Sequence, residues 1–187
     1  MKHNLVRLAI VSALAAMLAG CSTYDSVTAY LNADKATMCP DAAILATTSS
    51  LPAFAPTNGG DPSGVIYSVA MTNVKTRCSY DKSEKTADAR TRVMFHAARA
   101  PGGAEVTYRV PYFLAVSQGG DIIAKNIYWA EFEFAAGATS ADGEELVDST
   151  IVTVEKGKNI YDYHLLVGFQ LTQAQLDYNK KIGPYEP

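Results

Sequence analysis

Three groups of side chains in this 187-residue sequence are of types that can do chemistry. His96 follows Phe95, and His164 stands between Tyr163 and Leu165. A neutral imidazole near pH 7 acts as a general base when a nucleophile lies within hydrogen-bond reach. Glu131 and Glu133 flank Phe132, and at a strand period of two both carboxylates share one face, where they suit acid–base work or a bound cation, or simply line a solvated surface. Asp142-Gly143-Glu144-Glu145 gathers the oxygen ligands of a weak calcium loop without the spacing of an EF-hand, and reads as an acidic hairpin turn. The sequence has no glycine-rich phosphate loop with its lysine, no His-Glu-x-x-His pair and no Gly-x-Ser-x-Gly nucleophile elbow. The expectation is a chain that is not an enzyme and carries no metal, with its histidines serving as ordinary strand residues.

Aromatic residues make the stronger case for a surface. Tyr108, Tyr112, Phe113, Tyr128, Trp129, Tyr161 and Tyr163 lie in strand-like runs. Tyrosine and tryptophan on a sheet face bind sugar rings or a partner protein. Tyr108, Tyr112, Tyr128 and Trp129 form the candidate binding face, although alternation sends about half of any such set into the core.

The elements that position these residues read as β-strands. Val65–Val74 and Thr76–Tyr80 are two strands or one bent one, and Arg90–Ala98 follows. In Val106–Leu114 the even positions are apolar, and Pro111, which has no N–H for a ladder, predicts an edge or a bulge there. Gln118-Gly119-Gly120-Asp121 is a hairpin turn leading into Ile122–Phe134; Glu145–Glu155 and Tyr161–Leu171 are joined through Gly157-Lys158-Asn159. Ala42–Thr47 is a short edge strand and Ser49–Gly64 a Ser/Pro/Gly-rich surface loop. Thr172 is an N-cap with Gln175 three residues on, as in a capping box, so a short C-terminal helix ends at Gly183-Pro184. Seven or eight strands without crossover helices predict a mainly β chain, an immunoglobulin-like β-sandwich; a partly open barrel is the alternative.

The N-terminus says where such a domain would be held. Lys2 and Arg7 precede an apolar run, Leu8–Leu18, about half the roughly 20 residues that a spanning helix needs. Leu18-Ala19-Gly20-Cys21 resembles the lipobox of bacterial lipoproteins. That resemblance implies a signal peptide over 1–20, cleavage before Cys21, and a diacylglycerol and further acyl chain on the Cys21 thiol and amine. Several acyl chains, each gaining about 0.8 kcal/mol per buried methylene, anchor without spanning. Ser22 and Thr23 follow the cysteine where enterobacterial lipoproteins kept in the inner membrane have Asp, so the resemblance implies the periplasmic face of the outer membrane. Residues 21–38 are then a lipidated tether, with a short helical stretch around Ser26–Ala33, and 39–187 a single domain.

Loss of residues 1–20 leaves 14 positive and 19 negative side chains, a net charge of −5, and no Lys/Arg run. Such a chain is not expected to take nucleic acid or an anionic membrane surface as its main partner. Cys39 and Cys78 remain, in an oxidising compartment, without the Cys-x-x-Cys spacing of a redox pair or nearby histidines for a metal; a structural disulfide is the expectation. Cys39-Pro40, Cys78-Ser79-Tyr80-Asp81, Pro111–Val116 and Val167–Thr172, followed by Gln175-Leu176 and Tyr178-Asn179, also resemble landmarks of a group of alphaproteobacterial envelope lipoproteins of no established activity. Three functions are open at this level: docking of an envelope protein partner, with strand addition beside Pro111; glycan or small-ligand binding on the aromatic face; and hydrolysis at a cleft joining His96 or His164 to a nucleophile.

Overall fold

The computed structural model describes residues 38–56 and 64–183; Leu18, Ala19, Gly20, Cys21 and the tether to residue 37 lie outside them. Among the described residues eight strands form two four-stranded sheets packed as a β-sandwich, with one short α-helix at the C-terminal end. The strands are β1 (Asp41–Ile44), β2 (Ser50–Phe54), β3 (Val65–Asp81), β4 (Thr86–Arg99), β5 (Val106–Gln118), β6 (Asp121–Phe134), β7 (Ser140–Thr153) and β8 (Tyr163–Phe169); the helix is α1 (Gln173–Ile182). One sheet runs β1-β8-β5-β6 and the other β2-β3-β4-β7. β1 pairs with β8 in parallel, and every other pairing is antiparallel.

Alternation makes the core. Val93, Phe95 and Ala97 of β4 face Tyr112, Leu114 and Val116 of β5, with Phe132, Leu165, Val167 and Phe169 completing the layer; the intervening residues Phe113, Ala115 and Ser117 of β5 are buried as well, on the other side of their strand. Phe95 lies at the centre, edge-on to Tyr112 and Phe132 with ring centroids 5.4 and 5.8 Å away. Gly119 and Gly120 both have positive φ, as the two-residue β5–β6 turn requires. At Gly168 a methyl group would strike the Thr48 hydroxyl and come within 2.8 Å of the Phe113 ring, so β8 lies tightly under the 3₁₀ turn Ala46–Thr48. The Thr172 capping box is present: Gln175 N–H donates to Thr172 Oγ1, and the Thr172 N–H donates to Gln175 Oε1. α1 is pinned through Asn179, whose amide donates to the carbonyls of Thr47 and Ser50.

Four expectations need correction. The Ser49–Gly64 loop contains β2, which pairs with β3 and buries Leu51. Asp142-Gly143-Glu144-Glu145 is no hairpin turn; these residues lie in β7, opposite His96, Phe95, Met94 and Val93. β5 is an interior strand, and its irregularity falls at Val116/Ser117 rather than at Pro111. Pro111 is tolerated for a local reason: β8 pairs with β5 only over Tyr112–Gln118, and the Pro111 carbonyl, which accepts from the Gln170 N–H, faces that side. The missing N–H therefore falls where β8 has ended and costs no bond to β6. The candidate aromatic face does not exist as one surface, because Tyr112 is 1% exposed and Tyr128 and Trp129 point to opposite faces of β6.

Candidate functional site

Tyr108 stacks on Tyr67 at 3.9 Å and Tyr128 on Tyr112 at 5.5 Å, so both serve the margin of the core. Burial, and after it the neighbouring Glu145 and Tyr128, hold the Tyr112 hydroxyl far above the ordinary tyrosine range. Trp129 alone of the four is exposed, at 49%, with the Arg109 guanidinium 4.9 Å from its ring centre. Glu131 and Glu133 stand on the outer face as their spacing predicts, and Glu131 pairs with Arg109 at 3.3 Å.

Trp129 belongs to a different surface. Among the described residues β6 pairs only with β5, and it carries Ile122, Ile123, Ile127 and Trp129, each about half exposed. At its C-terminal half this edge is closed by β7, where Gly143 lies so close to Phe132 that a Cβ would meet the ring at 2.9 Å. From Asp121 to Trp129, no strand among the described residues covers the outer side. Edge strands are commonly guarded by a projecting lysine. Here the Lys125 ammonium is drawn back across the sheet, 4.2 Å from the Phe113 ring centre and donating to Gln170 Oε1 at 2.9 Å. An open, apolar strand edge is a template for another strand.

Glu145 is the inward-facing charge beside this edge. Desolvation, with a smaller push from Glu131, raises its carboxyl above the ordinary value, against the pull of the Glu131 N–H. The native state therefore retains a proton that the unfolded chain has released across the window between the two values, and stability falls as pH rises through it. Glu145→Gln keeps the acceptor and removes the charge. Urea midpoints measured from pH 4 to 8 are expected to show the variant more stable at neutral pH, with the gap closing towards the acid end; a constant gap would contradict the assignment.

His96 and His164 differ in their surroundings. His164 is exposed on β8. His96 Nδ1 lies 2.7 Å from Asp142 Oδ1, and the ring lines a groove of about 460 Å³ between β3, β4 and α1, together with Ser68, Tyr178 and Asn179. Ser68 and His96 come together because Ser68 opposes Ala98 and Ala70 opposes His96, a juxtaposition that only the register supplies. Among the described residues no hydrogen bond joins Ser68 to His96. β3 is laddered on both sides at Ser68, and the helix end bordering the groove is its carbonyl end, so the surroundings favour a hydrogen-bond donor over an oxyanion. The described residues contain no cluster able to hold a metal ion and no helix long and apolar enough to cross a membrane.

The sequence reading also passed over a basic cluster. Lys75 and Arg77 on β3 and Arg90 and Arg92 on β4 share the outer face of their sheet. Their signal was present as two Lys/Arg-x-Arg triplets at strand period, which become one patch only when the strands pair.

No family model, curated protein or solved structure matches the chain.

Proposed function

We propose that this chain is a lipid-anchored protein of the bacterial envelope whose sandwich docks a partner protein by strand addition at β6. The observation that carries the docking is the open edge from Asp121 to Trp129, with four large apolar side chains about half exposed and its one lysine folded away. Main-chain bonds would supply affinity, and Ile127 and Trp129, which lie on one face of the strand at alternate positions, would supply the side-chain pockets, with Ile123 exposed at the bulge beyond them. The lipobox at Leu18–Cys21 supports the anchor, and Ser22 and Thr23 support the periplasmic face of the outer membrane. On this reading the role is non-catalytic.

The test is in-cell cross-linking and affinity capture of the native chain, of Cys21→Ala, and of Ile123→Lys/Ile127→Lys. The native chain is expected to label with fatty acid, to sediment with outer membranes and to retain a reproducible envelope protein. Cys21→Ala is expected to lose the label. The double lysine variant should keep its label and its melting temperature, since surface changes of this kind usually stay within about 0.5 kcal/mol, yet lose the partner. Capture unaffected by the two lysines would overturn strand addition at β6, and a native chain without acyl label would overturn the anchor.

A further inference from the structure

On the outer face of the β3–β4 hairpin, Arg77 stands directly opposite Arg90 and Lys75 directly opposite Arg92. Like charges at directly opposed positions of an antiparallel pair repel and destabilise the sheet. A folded chain tolerates such a local conflict where compensation or function requires it. Compensation here is one-sided. Arg90 pairs with Asp148 at 3.7 Å and Arg92 with Glu144 at 3.3 Å, both from β7. Among the described residues no carboxylate pairs with Lys75 or Arg77. Asp88, the other acid at this face, accepts from the Ser149 hydroxyl at 2.7 Å. The four cations border a groove of about 540 Å³ that also exposes the Met94 and Leu146 side chains.

The patch is set against the overall charge, since residues 21–187 carry a net −5. Position adds a second argument. Cys78, next to Arg77 on β3, packs on the opposite, core-facing side of the strand and is bonded there to Cys39, with a Cα separation of 5.4 Å. The segment leading back to Cys21 thus joins the domain at the end of β3 that carries the cations, one residue along the strand from Arg77.

We propose that this face binds the phosphates of an anionic membrane surface, so that the domain attached at Cys21 lies with β3–β4 against the lipid headgroups and β6, on the other sheet, left for a partner. The proposal rests on the anchor reading for its setting. It reverses the expectation drawn from composition, which sees no Lys/Arg run because the cluster is built from two strands. Each cation near an anionic bilayer surface contributes about 1 kcal/mol, roughly five-fold in partition.

The test uses the whole chain with Cys21→Ala, which has no acyl chain to hold it, with and without Arg77→Glu/Arg90→Glu. Both are sedimented with vesicles of phosphatidylcholine alone and of phosphatidylcholine mixed with phosphatidylglycerol. Whatever residues 1–20 contribute is common to the two chains, so the difference between them belongs to the face. Loss of the two cations alone is expected to lower partition onto the anionic vesicles by about 25-fold, so the charge-reversed chain, which also adds two carboxylates, should fall by at least that much, with no change on the neutral vesicles. High salt should abolish the difference. Should the charge-reversed chain fail to melt cooperatively, Lys75→Gln/Arg77→Gln replaces it. Equal partition of the two chains onto anionic vesicles overturns the proposal. Displacement of the Cys21→Ala chain from the vesicles by millimolar inorganic phosphate at constant ionic strength also overturns it, and assigns the face to a free anion. Because neither chain carries the anchor, failure here leaves the acylation result at Cys21 standing, and a missing acyl label leaves this result standing.

Discussion

Replacing Cys39 and Cys78 together by alanine is expected to lower stability by about 4 kcal/mol, the loop-closure entropy that a cross-link across roughly 40 residues removes from the unfolded chain. Cys39 lies two residues before β1 of one sheet, and Cys78 lies in β3 of the other, so the bridge also ties the two layers together. β1 needs the tie. It has four residues, occupies a sheet edge, alternates between exposed and half-buried, and among the described residues pairs only with β8. The loss is a large part of the roughly 5–15 kcal/mol by which domains are stable, and corresponds to a fall in Tm on the order of 10 °C. Urea titrations of the oxidised chain, the reduced chain and the double alanine variant check it. The last two should coincide well below the first, and β1 amides should lose hydrogen-exchange protection before those of β5. A double variant as stable as the oxidised chain would show that β1 is held by its pairing with β8 alone.

Most of the fold was legible because its rules are local. β4 alternates between buried and outward residues over most of its length, Gly119-Gly120 satisfies the positive φ that its turn demands, and the Thr172/Gln175 box marks the start of α1. The misreadings have physical causes of another kind. β2 is only five residues long and contains Pro52, so local propensity speaks for a loop; pairing with β3 and the burial of Leu51 decide otherwise. The acidic start of β7 looked like a turn because its charges are dense, but β7 is an edge strand, where alternate side chains reach water, and Glu144 meets Arg92 across the ladder. Pro111 was read as marking an edge strand, whereas strand order places β5 inside and only the early end of β8 relieves the proline.

The candidate sites were less legible, since each depends on which strands are neighbours. Nothing in Asp121–Phe134 says that its outer side is open; that follows from the order β8-β5-β6. Lys75, Arg77, Arg90 and Arg92 form a cluster only through the β3–β4 register, and Ser68 meets the His96 groove for the same reason. The aromatic face failed at Tyr112, whose even position in β5 belongs to the buried set with Leu114 and Val116. Period two had already separated Tyr128 from its neighbour Trp129; it left unsaid which of them faced the core.

Phe95→Ala and Trp129→Ala are expected to part in opposite directions, and the contrast separates what aromatic residues do for this fold from what they offer a partner. Phe95 is 2% exposed, and its ring approaches Tyr112, Phe132 and Phe169 of three strands in the facing sheet at 5.4, 5.8 and 5.9 Å. Its truncation leaves a cavity that no single neighbour can fill without leaving its own strand position, so a loss of about 3–5 kcal/mol is expected. Trp129 is half exposed and meets Arg109 across one ring face, so its truncation should cost about 1 kcal/mol or less. Urea midpoints at unchanged slope read the stabilities, and capture of the partner reads the function. Phe95→Ala should capture in proportion to the fraction still folded, while Trp129→Ala should remain folded and lose capture, because an exposed tryptophan on an open edge is the kind of anchor that a docking strand buries. Retention of the partner by Trp129→Ala would move the docking surface away from β6.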